Sequence, residues 1–162
     1  MAEAFALREP RPGDFGWVVS RHGALYAAEY GFNQRFEGLV AEVVAGFVKN
    51  FDAARERCWI AEQGAAPIGS GFVVKGDAPD EAKLRLLLVE PTARGLGVGH
   101  RLVGACIDHA RATGCRKMTL WTQSILLAAR HIYARAGFRL ARSEPHDGFG
   151  YPLTGEFWEL EL

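Results

Sequence analysis

Three glycines at alternate positions, Gly95, Gly97 and Gly99, stand between an apolar run at 84–89 (LRLLLV) and a helix-forming stretch from Val98 onward. A glycine weakens a helix or a strand by roughly 0.5–1 kcal/mol relative to alanine. Three of them beside Arg94 mark a place where the chain needs bare backbone. The segment reads as strand, glycine-rich turn, helix. A helix N-terminus carries unpaired N–H groups and the positive end of the dipole, so it accepts an anion readily. Glycines let a phosphate reach those groups, and Arg94 adds a permanent cation. A tight turn that packs the helix closely on its strand accounts for the same spacing without a ligand.

Two well-known phosphate sites do not match. No GxxxxGK[ST] string exists in the chain. A dinucleotide fingerprint needs a third glycine where His100 stands. It also needs an acidic residue at the end of the next strand, which reads Leu120-Trp121-Thr122-Gln123.

The chain has 162 residues, with 19 Lys+Arg against 19 Asp+Glu. That length reads as a single domain, 1–162, able to bury its own core. Zero formal charge gives no footprint for nucleic acid or an anionic membrane. No apolar run approaches the ~18 residues of a membrane span, and the N-terminus lacks a basic-then-apolar leader. Cys58, Cys106 and Cys115 form no CxxC pair, so neither a disulfide nor a zinc framework is expected. The expectation is a cytoplasmic protein.

Residues 5–8 read as a first strand. Asp14 can cap a helix carrying Trp17, Val18, Leu25 and Tyr26, which Gly31 breaks. Asn33 can cap a second helix with Phe36, Leu39, Val40, Val43, Val44, Phe47 and Val48 at helical spacing. Segments 57–62 and 67–75 form a hairpin around the turn at 63–65. The strand at 83–89 becomes apolar on both faces, as a central strand does. A helix at 98–113 turns Val98, Leu102, Val103, Cys106, Ile107 and Ala110 inward and stops at Gly114. A strand at 118–122, a helix at 125–136 and strands at 138–141 and 156–162 complete the chain. In the last helix Ile125, Ala128, Ile132 and Ala136 make the more apolar stripe, with Tyr133 at its edge. The pattern predicts an α/β protein, a mixed sheet with helices on both faces.

The string ARGLGVG has the form R-x-x-G-x-G on Arg94, Gly97 and Gly99. Further on, LWTQSILLAARHIYARAGF gives a strand followed by A-x-x-x-Y-x-x-x-G-F on Ala129, Tyr133, Gly137 and Phe138. In this order the two motifs resemble the GNAT N-acetyltransferases. The match looks closest to the acetyltransferase half of proteins that also carry a MarR-type DNA-binding domain, a domain not expected here. The resemblance runs from the first strand through FWELEL. It implies a GNAT-like acyl-CoA N-acyltransferase fold of about seven strands. It also implies transfer of an acetyl group from acetyl-CoA to a primary amine, without a metal. By position, Arg94, Gly95, Leu96, Gly97, Val98, Gly99 and His100 would cradle the coenzyme A pyrophosphate. The pantetheine arm would lie along Leu87, Leu88 and Val89 like an added strand, near Ala129 and Tyr133, in a gap where that strand splays from 118–122. Leu126 stands where many members carry an asparagine that touches the arm.

Acetyl transfer from a thioester to an amine needs an uncharged amine, a donor for the developing oxyanion and a proton for the leaving thiolate. A backbone N–H near Leu88 or Val89 suits the oxyanion. Tyr133 is the candidate general acid, a phenol with an ordinary pKa near 10. A core aromatic with a satisfied hydroxyl fits the same spacing. The base stays open. Some relatives use a glutamate early on the central strand, but here it reads Glu81-Ala82-Lys83-Leu84-Arg85, where Lys83 and Arg85 are poor bases and Glu81 is near a loop.

Glu29, in YAAEYGFN, is the alternative base, beside Tyr26, Tyr30 and Phe32, which could wall a pocket for a cationic amine. A solvated helix-end glutamate fits equally. His146, in EPHDGFG, could overhang the acceptor. His22, His109 and His131 read as surface or satisfied helix residues, and nothing has metal-ligand spacing. The expected partner is a small-molecule amine, with a homodimer left open. Two other functions compete: an acetyl-CoA-binding sensor without turnover, and a protein-lysine acetyltransferase.

Overall fold

A computed structural model describes residues 4–162; the expected absence of a leader rests partly on residues 1–3, which lie outside the described residues. Strand β1 (Ala6–Arg8) leads into helix α1 (Asp14–Tyr30). Asp14, the expected cap, is instead the first helical residue, with Gly13 in the cap position. Its carboxylate accepts the Arg11 N–H at 2.6 Å and the Arg8 guanidinium at 2.7 Å. Arg8 holds that carboxyl below its ordinary range. Asn33 does cap α2 (Gln34–Lys49), accepting the Arg35 N–H at 3.0 Å.

The sheet follows: β2 (Arg57–Gln63), β3 (Ala66–Lys75) and β4 (Glu81–Val89), then α3 (Val98–Ala112), β5 (Lys117–Gln123), α4 (Leu127–Ala136), β6 (Arg139–His146) and β7 (Leu153–Glu161). Its seven strands lie in the order β1-β2-β3-β4-β5-β7-β6, and among them only β4 and β5 run parallel. This is the expected mixed sheet. On one face Val103, Cys106, Ile107 and Ala110 of α3 and Tyr133 of α4 pack on Met118, Leu120, Trp158 and Leu160. On the other, Val18 of α1 and Val40, Val44 and Phe47 of α2 pack on Cys58, Ile60 and Phe72. The inward face of α3 is the one its periodicity predicts.

Three elements differ from the sequence reading. The strands expected at 138–141 and 156–162 extend to Arg139–His146 and Leu153–Glu161. β6 is an edge strand, exposed from Arg139 to Pro145, so it has no apolar alternation to announce it. An edge also tolerates Pro145. Helix α4 starts at Leu127, not Ile125, because the Leu126 N–H is taken by the Gln123 carbonyl at 3.0 Å. Leu126 and Tyr133 are buried, and Ala129, Ile132 and Ala136 are partly buried against the core, while Ile125 and Ala128 are exposed, so the expected stripe holds at Ile132 and Ala136 only.

Candidate active site

β4 and β5 are bonded at three positions only: Glu81 with Lys117, Ala82 with Met118 and Lys83 with Thr119. Beyond Lys83 the strands separate, so one edge of β4 from Leu84 to Val89 faces a gap. On its other side β4 pairs with β3, with an irregularity between Ser70 and Phe72. Here Leu86 takes a φ of 53°, the one non-glycine residue among those described with positive φ. Such a conformation costs on the order of 1–3 kcal/mol. The buried Ser70 hydroxyl donates to the Leu86 carbonyl at 2.8 Å and helps hold the bulge. A bulge turns successive peptide groups out of the regular ladder: the Leu86 carbonyl faces Ser70 of β3, while the Leu87 carbonyl lies 3.5 Å from the hydroxyl of Tyr26. Sequence reasoning alone misses Leu86 and Ser70. A serine inside the apolar PIGSGFVVK run is the signal that could have found them.

The glycine turn sits at the end of this strand. Pro91–Ala93 forms one 3-10 turn, and Gly95 and Gly97 follow with φ of 87° and 81°. A Cβ at either would meet nothing within 4 Å, so what requires glycine there is the left-handed backbone. Gly99 differs. A Cβ there would come within 2.6 Å of Ile132 Cδ1, so its bare Cα lets α3 approach α4. The plain packing reading therefore holds for the third glycine. Arg101 N–H bonds the Gly97 carbonyl at 3.1 Å, which leaves the N–H groups of Val98, Gly99 and His100 without intrahelical acceptors. An anion could dock there.

A cleft of about 850 Å³ opens between β4, β5, α2 and the β6–β7 hairpin. Tyr26, Phe32, Leu86, Leu87, Leu126, Ala129 and Tyr133 all line it. Tyr133 is buried, and burial pushes its phenol pKa up. The Tyr26 phenol is pushed up for the same reason, and its hydroxyl lies 3.5 Å from the Leu87 carbonyl. Phe32 joins Phe149 and Leu153 in a small core, with Tyr26, Tyr30, Phe36 and Tyr151 packed against it.

His22 also lines the cleft, where the sequence suggests a satisfied helix residue. It is 2% exposed and stacks on Tyr26 with ring centroids 5.6 Å apart. Nδ1 bonds the Val18 carbonyl at 2.7 Å, which makes Nδ1 the protonated nitrogen and Nε2 an acceptor. Nε2 is buried without a partner.

Three expected acceptor residues lie off the cleft lining. The Glu29 carboxylate sits 2.5 Å from an Arg94 guanidinium nitrogen, at the glycine turn and outside the cleft lining. Tyr30 is likewise off that lining and accepts the Tyr151 hydroxyl on its carbonyl at 2.5 Å. His146 has both ring nitrogens engaged. Nδ1 accepts the Gly148 N–H at 3.0 Å, so Nε2 donates to Gln123 Oε1 at 2.6 Å. It staples the β6–β7 loop to the end of β5, with Gln123, not His146, on the cleft wall.

A seven-stranded mixed sheet with one splayed parallel pair beside a glycine-bounded helix N-terminus is the acyl-CoA N-acyltransferase architecture. The Acetyltransferase (GNAT) family model matches residues 24–138, and the chain belongs to that family. The "Probable N-acetyltransferase camello" of Xenopus tropicalis is 32% identical over 133 residues, 78% of this chain and 61% of that protein. Mycothiol acetyltransferase of Cellulomonas flavigena is 35% identical over 85 residues, 49% of this chain and 24% of its own length. The chain thus spans less than two thirds of either relative. Among solved structures, yncA of Salmonella typhimurium, determined with its cofactor acetyl-CoA, aligns with a TM-score of 0.74 at 21% identity, covering 98% of this chain and 94% of that one. A GNAT-family acetyltransferase from Staphylococcus aureus Mu50 aligns with a TM-score of 0.78 at 15% identity, covering 98% and 99%. These likenesses bear out the expected fold.

Proposed function

We propose that the protein is an acetyl-CoA-dependent N-acetyltransferase that moves the acetyl group directly to a primary amine of a small molecule. The observation that carries this reading is the gap beyond Lys83, which runs along the bulged end of β4 to the unpaired N–H groups of α3. Acetyl-CoA would supply the activated thioester. The N–H groups of Val98, Gly99 and His100, with Arg94 beside them, suit its pyrophosphate. The open backbone edge at Leu87, Leu88 and Val89 suits the amides of its arm, and the Leu88 or Val89 N–H suits the oxyanion. Leu126 and Ala129 offer that arm an apolar wall in place of a side-chain amide. Tyr133 donates its proton to the departing sulfur. Mycothiol acetyltransferase is named for a small molecule, which favours a small acceptor here too. We place the chain nearest the acetyltransferase half of MarR-fused proteins on the resemblance that runs from its first strand through FWELEL, and in the cytoplasm on its three free thiols.

Free-thiol release from acetyl-CoA, measured over amino acids, polyamines, aminoglycosides and lysine peptides, tests the reading. Turnover on small amines is expected. Tight acetyl-CoA binding with no turnover on any amine would assign the sensor role instead, and turnover confined to peptides the protein-lysine one.

Glu29 has two separable roles. As the general base it would lose kcat and the rising alkaline limb of the pH–rate profile on substitution. As the partner of Arg94 it tempers a cation at the pyrophosphate cradle. The ion pair favours the second. Glu29→Gln is expected to tighten acetyl-CoA binding several-fold by calorimetry while leaving the pH profile in place. The pair is half-exposed, so stability should change by no more than about 1 kcal/mol. An unchanged acetyl-CoA affinity with a lost alkaline limb would return Glu29 to the base.

A further inference from the structure

The charged residues on the cleft wall are mostly neutralised in pairs. Lys83 reaches Asp77 at 2.9 Å, Lys117 reaches Glu159 at 3.1 Å, and Arg142 reaches Glu144 at 2.9 Å while lying 3.9 Å over the Phe157 ring. Glu81 lies at the far end of β4, in register with Lys117. Arg85 remains. Among the described residues it is the one Lys or Arg on this wall with no carboxylate at ion-pair distance; Asp77, whose charge it feels weakly, is held by Lys83.

Its position singles it out further. Arg85 pairs in register with Phe72 of β3, which is fully buried, so its strand neighbour offers no polar group. Pairing between β4 and β5 has already ended at Lys83, so no β5 residue stands opposite it. The next residue is Leu86, where the bulge begins. A guanidinium without its own counter-ion therefore rises beside the backbone groups that face the gap. Around it the cleft is apolar and flat-walled: Leu39 and Val43 from α2, Trp121 from β5, Phe157 from β7. Leu39 and Trp121 are 36% and 40% exposed, so both leave surface for a ligand to cover.

We infer that Arg85 binds the carboxylate of the acceptor, and that the acceptor is a free amino acid with an apolar or aromatic side chain. This inference rests on the N-acetyltransferase reading above. A guanidinium holds a carboxylate through two parallel N–H donors, which fixes direction as well as distance. An α-amino acid gripped this way at Arg85 points its nitrogen along β4 toward the bulge and lays its side chain against Leu39, Val43 and Trp121, since Arg142 already covers the Phe157 ring. Arg85 also excludes acceptors whose only charge is positive, because these place an ammonium beside an unpaired guanidinium. The charge preference is thus opposite to that expected from Glu29.

The test pairs L-phenylalanine and L-tryptophan with their carboxamides and with phenethylamine and tryptamine. Thiol release from acetyl-CoA is measured for the unaltered protein and for Arg85→Gln. The carboxylates are expected to be favoured at least tenfold in kcat/KM, and Arg85→Gln to abolish that preference by losing rate on the carboxylates alone. Melting temperature and acetyl-CoA affinity should hold, since Arg85 is exposed and outside the glycine turn. A second arm needs no turnover: N-acetyl-L-phenylalanine and its amide are titrated by calorimetry into the protein loaded with coenzyme A. Arg85-dependent binding of the acid over the amide supports the inference even if no amine is acetylated, in which case it is the transferase reading that fails. Equal rates on acids, amides and amines, a preference that survives Arg85→Gln, or failure of the N-acetyl acid to bind overturns the role of Arg85 while leaving the transferase standing.

Discussion

Tyr133→Phe is expected to lower kcat by about 10², with the KM for acetyl-CoA little changed. A general acid is worth about 10²–10⁴ in rate, and a thiolate leaves tolerably without one, which sets the low end. The ring packs near Phe138 and Trp158, at centroid distances of 6.0 and 6.5 Å, and phenylalanine keeps both contacts. Folding should survive, so the loss falls on a proton needed only as the carbon–sulfur bond breaks. Burial raises the Tyr133 pKa above its ordinary value of 10.0. The donor therefore stays protonated through the working range, and kcat should show no falling limb up to about pH 10. Steady-state kinetics on a true acceptor decide the matter. If Tyr133→Phe turns over at the unaltered rate, Tyr133 is a core aromatic and nothing more.

Acid should destabilise this protein through His22 before its carboxylates are reached. Burial drops the His22 imidazole from 6.5 to about 4, against the opposing hydrogen bond to Val18. The unfolded chain takes up a proton as pH falls below about 6.5, while the folded chain refuses it until about 4. Stability is thus complete above neutrality and declines through that window, by up to about 3 kcal/mol. Removing the imidazole removes the loss. His22→Phe keeps an aromatic ring against Tyr26 and deletes the buried Nε2, whose isolation costs on the order of 1–3 kcal/mol. Its melting temperature should exceed that of the unaltered protein at pH 5 and change less from pH 7 to pH 5. Parallel melting curves across that range would show that His22 carries no such linkage.

What a sequence like this one makes legible is what repeats. The inward face of α3 recurs every three or four residues, and Asn33 caps as its chemistry dictates. The order of elements and the glycine turn follow from local strings. Single conformations and distant partners do not show. Nothing about Leu86 distinguishes it from its apolar neighbours, yet its φ of 53° shapes the gap. Glu29 and Arg94 meet across 65 positions of chain, so a glutamate that reads as free at a helix end is already taken. His146 looks available because a glycine-rich loop could overhang the acceptor, but that loop brings the Gly148 N–H back onto its own imidazole. β6 reads too short because an exposed edge strand has no apolar face to write. Nor does the string show why each glycine lacks a side chain: Gly95 and Gly97 take left-handed turns, whereas Gly99 makes room for Ile132.

The three-position join between β4 and β5 has a mechanical consequence. The sheet consists of two antiparallel blocks, β1–β4 and β5–β7–β6, each closed within itself by hairpin-type pairing. The blocks meet along one short zip, across α3, which runs from the end of the first block to the start of the second, and through the small core that joins Phe32 to Phe149 and Leu153. Cooperativity between the two blocks is carried mainly by side chains, those of α3 and α4 on one face and of the Phe32–Phe149 core on the other, because the backbone ladder that unites most sheets is missing over half the length of β4. A ligand seated between them would act as a splint, turning two foldons into one continuous sheet.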